Sequence, residues 1–135
     1  MEHRLDQVLH LAEQALGDGR FEKAAELARQ CNRSPLHAEG LIVQAHAEMG
    51  LGDFAQAATY FSQAGRTARN ADYYTMAAKA ALKSSDIRFA CKSAVRFFYD
   101  EAMKILVEDG RTDELQTIRK ERDLVDTLDI PETHK

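Results

Sequence analysis

The chain predicts an all-α protein built from repeated helical pairs, and three observations carry that expectation. The first is composition: 135 residues rich in Ala, Leu, Glu, Gln, Arg and Lys, with two prolines and no tryptophan, a mixture that favours helix over sheet. The second is a repeat. Gly52-Asp53-Phe54-Ala55-Gln56-Ala57-Ala58 has a looser copy earlier in the chain, Gly19-Arg20-Phe21-Glu22-Lys23-Ala24-Ala25. A weaker copy follows at the same spacing, Ser85-Asp86-Ile87-Arg88-Phe89-Ala90-Cys91, and self-similarity at a fixed period marks a repeat architecture. The third is periodicity: apolar residues recur at three- and four-residue steps between short Gly, Asn and Ser breaks.

The first helix is expected over residues 2–16, with Leu5, Val8, Leu9, Ala12, Ala15 and Leu16 on one stripe, and Gly17-Asp18-Gly19 stops it. A second helix, residues 20–31, buries Phe21, Ala24, Ala25, Ala28 and Cys31. Ser34 as N-cap with Pro35 at the first helical position starts a third, residues 35–49, because a proline there lacks only an N–H that has no partner anyway. Gly50-Leu51-Gly52 closes it. Asp53 with Gln56 three residues on approximates a capping box for a fourth helix that buries Phe54, Ala57, Ala58, Phe61 and Ala64, with 65–70 as the next connection.

Asn70 or Asp72 caps a fifth helix to about residue 83, with Tyr74, Ala77, Ala78, Ala81 and Leu82 inward. From Ile87 to Asp109 no Gly, Pro or Asn interrupts the pattern. One long helix is therefore expected there, with a break near Tyr99-Asp100 as the alternative. Asp109-Gly110 is a stop, and a seventh helix over 113–128, carrying Leu115, Ile118, Val125 and Leu128, reads as a cap on the open end of the stack. The predicted organisation is one domain, residues 1–129, with units 5–34, 35–70 and 71–98, the long helix continuing to 109, and a flexible tail at 130–135.

Net charge is −4 but unevenly spread. Residues 66–96 carry 7 Lys/Arg against 2 Asp/Glu, whereas residues 1–65 carry 5 against 9 and residues 97–135 carry 6 against 11. A sequence pI near 5.7 argues against general nucleic-acid affinity, which needs many phosphate contacts from a basic surface, and the local basic island leaves room for an acidic peptide. No apolar run approaches the roughly 20 residues that cross a bilayer. Because Met1-Glu2-His3-Arg4 leads straight into an amphipathic pattern rather than a signal peptide, a cytoplasmic protein without membrane insertion is expected.

Cys31 and Cys91 sit among small and apolar neighbours in helical patterns, as buried small hydrophobes do. Neither has a CxxC partner, and His37 and His46 are nine apart, which is no metal-ligand spacing on one helix face. There is no Gly-rich phosphate loop, and Asp113-Glu114 suits a helix start rather than acid–base work. Neither an enzyme nor a bound cofactor is expected. The run Phe97-Phe98-Tyr99 spreads three aromatics around most of a turn, so at least one points away from its own hairpin. Either the seventh helix covers it or that side joins a partner or a second copy.

A helical hairpin recurring at this period, with a Gly-Asp-aromatic turn and Ala at a fixed offset, resembles the tetratricopeptide repeat over residues 5–98. Setting Ala24, Ala57 and Ala90 on the family's small residue of the second helix puts the first-helix small residue on Ala12, Ala45 and Ala78. The turn glycine falls on Gly19 and Gly52 but on Ser85 in the third unit, and the large residue falls on Ala28, Phe61 and Ala94. The resemblance implies a right-handed superhelix of three hairpins plus a C-terminal capping helix.

It also implies a concave groove, lined by the first helices, that binds a protein or peptide segment. Its positions would be Asp6, Leu9, Glu13, Ile42, His46, Met49, Thr75, Lys79 and Leu82, with Lys83 at the edge. Leu9 and Glu13 stand where the family's clamp for a chaperone's C-terminal carboxylate has Lys and Asn, so that activity is not expected. Lys79 and Lys83, four apart on one helix face, suit an acidic ligand. Arg88, Lys92 and Arg96 form a second basic stripe. The expected role is a non-catalytic adaptor or scaffold. Chaperones that hold secreted type III translocators are similar in size and repeat count, and a self-assembling scaffold is the structural alternative.

Overall fold

The computed structural model describes residues 2–134 and contains, among them, seven helices and no strand. They are α1 (Glu2–Gly17), α2 (Phe21–Arg29), α3 (His37–Leu51), α4 (Phe54–Ala68), α5 (Ala71–Lys83), α6 (Lys92–Glu108) and α7 (Thr112–Val125). Each helix packs on its neighbours in the chain, and α1 also meets α3. At most junctions only two or three residues separate the helices, which leaves the chain no choice but to fold back.

The core has two parts. Leu9, Ala12, Ala15, Ala24, Ala25, Ala28 and Cys31 join α1 and α2 to Val43 and Ala47 of α3. A larger cluster runs from Ala45 through Phe61, Tyr74, Val95, Tyr99 and Leu106 to Val125 of α7. Alanine at the contacts lets helix axes approach closely, and the few large side chains fill what remains. Gly40 marks a close approach of α3 to the end of α2: a Cβ there would lie 2.9 Å from both the Ala28 carbonyl oxygen and the Cys31 Cβ.

The turns explain where the elements start. Gly19 and Gly52 adopt φ of +77° and +82°, a left-handed conformation that closes a helix without a Cβ penalty. Asp53 caps α4 by accepting from Gln56 N at 3.1 Å, while the Gln56 amide turns to Tyr60 instead of completing the box. Asn70 accepts from Asp72 N and Tyr73 N at the head of α5. Ser34 accepts from Leu36 N, but α3 begins two residues after Pro35.

Several expectations are corrected. The helix expected from Ile87 starts at Lys92, after an irregular stretch, and then runs unbroken past Tyr99 to Glu108. Ala90, expected on a second-helix face, lies in that stretch. By position in its helix Val95 is the counterpart of Ala24 and Ala57, each the fourth residue of α2, α4 or α6. Helix α4 continues to Ala68 through the expected connection, burying Gly65 beneath the Tyr74 ring. The cysteines are both buried and free, yet Cys31 lies beyond the end of α2 and Cys91 is the residue before α6.

Residues 130–134, expected as a free tail, return to α6. Lys92 N donates to the Pro131 carbonyl at 2.8 Å and Ser93 N to the Glu132 carbonyl at 2.9 Å. Arg96 pairs with Asp126 at 2.6 Å and with Glu132. The tail thus satisfies two of the four N–H groups that the start of a helix leaves without partners. The basic stripe of Lys92 and Arg96 is engaged with the chain's own C-terminus.

Candidate functional site

Helices α1, α3 and α5 present residues to one shared face. An open cleft of about 440 Å³ on it is lined by Glu13, Leu16 and Gly17 of α1, Glu39, Ile42, Val43 and His46 of α3, and Tyr73 of α5. Three residues expected at the site, Glu13, Ile42 and His46, meet here. Leu16, Gly17, Glu39, Val43 and Tyr73 complete it and were not anticipated there, although the period offered Leu16 and Glu39. Leu16 lies one period before Met49, and Glu39 lies midway between Asp6 and Asp72 at the same spacing.

The remaining expected positions divide. Asp6, Lys79 and Lys83 are exposed, Met49 and Leu82 are half-buried against the larger core, and Leu9 is buried in the smaller one. Thr75 is buried with its hydroxyl donating to the Ala71 carbonyl at 3.1 Å. It borders a second cleft of about 220 Å³ that also takes in Asp72, Leu106 and, from α7, Glu114, Thr117 and Ile118. So α7 is more than a lid: it supplies a wall beside α5, a role no repeat signal in its sequence announces.

Orientation along α5 follows from its register. Tyr73 faces the α3 side and Thr75 the α7 side, so at about 100° per residue the exposed Lys79 and Lys83 point between them toward solvent. Neither lysine has a carboxylate within 4.0 Å among the described residues.

His46 is half-buried, its ring meeting Phe61 edge to face at 5.2 Å and 85°. Burial lowers its pKa from the ordinary imidazole value, so it is neutral at pH 7 and the charge in the first cleft comes from Glu13 and Glu39. A larger hollow of about 530 Å³ between the head of α4 and the α5–α6 connection is already occupied with local duties. There Asp53 caps α4 and Asp86 pairs with Arg88 at 2.6 Å.

Of the three aromatics in sequence, Phe98 and Tyr99 are buried and Phe97 is 54% exposed. Ser62, Gln63 and Arg66 of α4 border the same hollow as Phe97, and no residue of α7 does. Among the described residues no three His, Cys, Asp or Glu side chains come together as a metal site. No described helix is long and apolar enough to cross a membrane.

Comparison with family models, with curated proteins and with solved structures finds no match.

Proposed function

We propose that the protein is a non-catalytic interaction module, a cytoplasmic adaptor or scaffold, that holds a segment of a partner protein along the face formed by α1, α3, α5 and α7. In this reading the helical pairs form a tetratricopeptide-like right-handed superhelix and that face is its concave groove. The observation that carries it is the first cleft: half-buried Leu16, Ile42 and His46 from two different helices stand beside Tyr73 of a third, with two carboxylates at the rim. Such a mixture of apolar surface and a few placed charges is what a peptide site requires.

Self-assembly has its own support. Leu11 on α1 and Val107 and Leu124 near the other end of the chain are exposed, and apolar residues on the ends of a stack are where copies would join. The narrower chaperone reading shares the groove and differs only in its cargo.

A photoreactive amino acid placed at Ile42, or alternatively at Leu124, separates these readings in the native cell. Heterologous adducts from Ile42 support the adaptor. Adducts of the protein with itself from Leu124 alone, with none from Ile42, transfer the function to self-assembly.

A further inference from the structure

The chemistry of the first cleft selects what it holds. Glu13 and Glu39 stand on different helices at its rim, and neither has a Lys, Arg or His within 4.0 Å among the described residues. Between them lie aliphatic walls from Leu16 and Ile42 and the ring of Tyr73. An acidic ligand would meet two like charges here. A Lys or Arg side chain fits each part: its methylene stem covers apolar surface, its head reaches carboxylates, and an aromatic face attracts a cation.

We propose that this cleft receives a basic-apolar segment of the partner, a Lys or Arg next to an aliphatic residue, with the cation between Glu13 and Glu39. The proposal rests on the groove reading above and adds a basic end to a ligand whose acidic part is expected near Lys79 and Lys83. Lys79 and Lys83 then set the direction of the segment. From Tyr73 to Lys83 is ten residues of α5, about 15 Å at the helical rise. An extended peptide covers that in about four or five residues. The favoured ligand therefore carries its cation about four or five residues from an acidic group, the cation over α1 and α3 and the acid over the last turn of α5.

Fluorescein-labelled dodecapeptides test this by anisotropy on the full chain. One carries Lys-Leu followed by Glu at that spacing, one has the two charges exchanged for a uniformly acidic set, and one is neutral. The Lys-Leu peptide should bind wild type best, lose about tenfold in affinity in E13K/E39K, and weaken in the same direction in the shape-preserving E13Q/E39Q, with unchanged circular dichroism. Affinity within twofold of wild type in both variants overturns the proposal, as does failure of the Lys-Leu peptide to bind. Preferential binding of the acidic peptide, lost in K79E/K83E, also overturns it but leaves the groove reading standing. Peptides that bind I42E as well as wild type defeat both.

Discussion

The turn between α3 and α4 and the connection between α5 and α6 meet the same need with different residues. After α3, Gly52 takes φ +82°, the chain reverses at once, and Asp53 caps the next helix. After α5 the corresponding position is Ser85, and no residue of the connection has positive φ. Ser84 leaves the helix extended, at φ −73° and ψ 146°. A turn organised by Asp86 and Arg88 follows, and α6 begins only at Lys92. A residue with a Cβ is strained in the left-handed conformation, a strain that Arg69 bears at φ 50° in the two-residue turn after α4, while the chain after α5 takes a longer path. Glycine is thus one way of keeping the short turn and not a requirement for it. The later start of α6 is also what leaves its first N–H groups to be met by Pro131 and Glu132.

The largest test of the contrast lies in the aromatic each region contributes. Phe61 of α4 is 1% exposed and Phe97 of α6 is 54% exposed. Phe61→Ala should cost about 3–5 kcal/mol in urea unfolding, and Phe97→Ala about 0.5 kcal/mol or less. Equal losses would mean that Phe97 is covered in solution, as self-assembly would require.

Gly40→Ala probes the close approach of α3 to the end of α2. Its new Cβ would meet a backbone oxygen, so a loss of about 1–3 kcal/mol is expected by the same measurement. The turns themselves give a smaller effect. Gly52→Ala forces an alanine to φ +82° and should cost about 1–2 kcal/mol, whereas Ser85→Gly should change stability by about 0.5 kcal/mol or less. If the two are alike, the left-handed conformation of Gly52 contributes nothing to the short turn.

Titration separates the regions in opposite directions. Burial, with the Glu121 carboxylate beside it, pushes the Tyr99 phenol up to about 12. Its contribution to stability is complete below the ordinary tyrosine value of about 10 and is lost as pH rises through about 12. His46 is shifted the other way, so its contribution is complete above the ordinary imidazole value of about 6.5 and declines as pH falls below it. Hydrogen exchange should therefore open α3–α4 first on acidification and α6–α7 first at high pH. His46→Gln should remove the acid-side change below the ordinary imidazole value, and Tyr99→Phe should flatten the alkaline one.

The helical periodicity alone located all seven helices, because their apolar stripes and their Gly, Asn and Asp stops are local properties of the chain. The repeat likewise marked Ala12, Ala45, Ala24 and Ala57 as contact positions, and all four are buried. The resemblance to the tetratricopeptide repeat, and not composition or spacing, brought forward Glu13, Ile42 and His46. What none of these could reach was anything that depends on which distant segment arrives. The absence of a helix breaker after Ile87 read as helix, because a chain's own hydrogen-bonding alternatives, here Asp86 with Arg88, are decided by geometry rather than by a forbidden residue. Tyr73 joined the cleft only because the fold brings the start of α5 to the same opening as α3, and α7 became a wall only by packing on α6. The sequence by itself determined the helices and the small residues that let them touch, since both follow from steric preferences within a short stretch of chain. Only the tertiary structure decided which charges stand together, because Glu13 and Glu39 line one cleft only once the chain between them has folded back through α2.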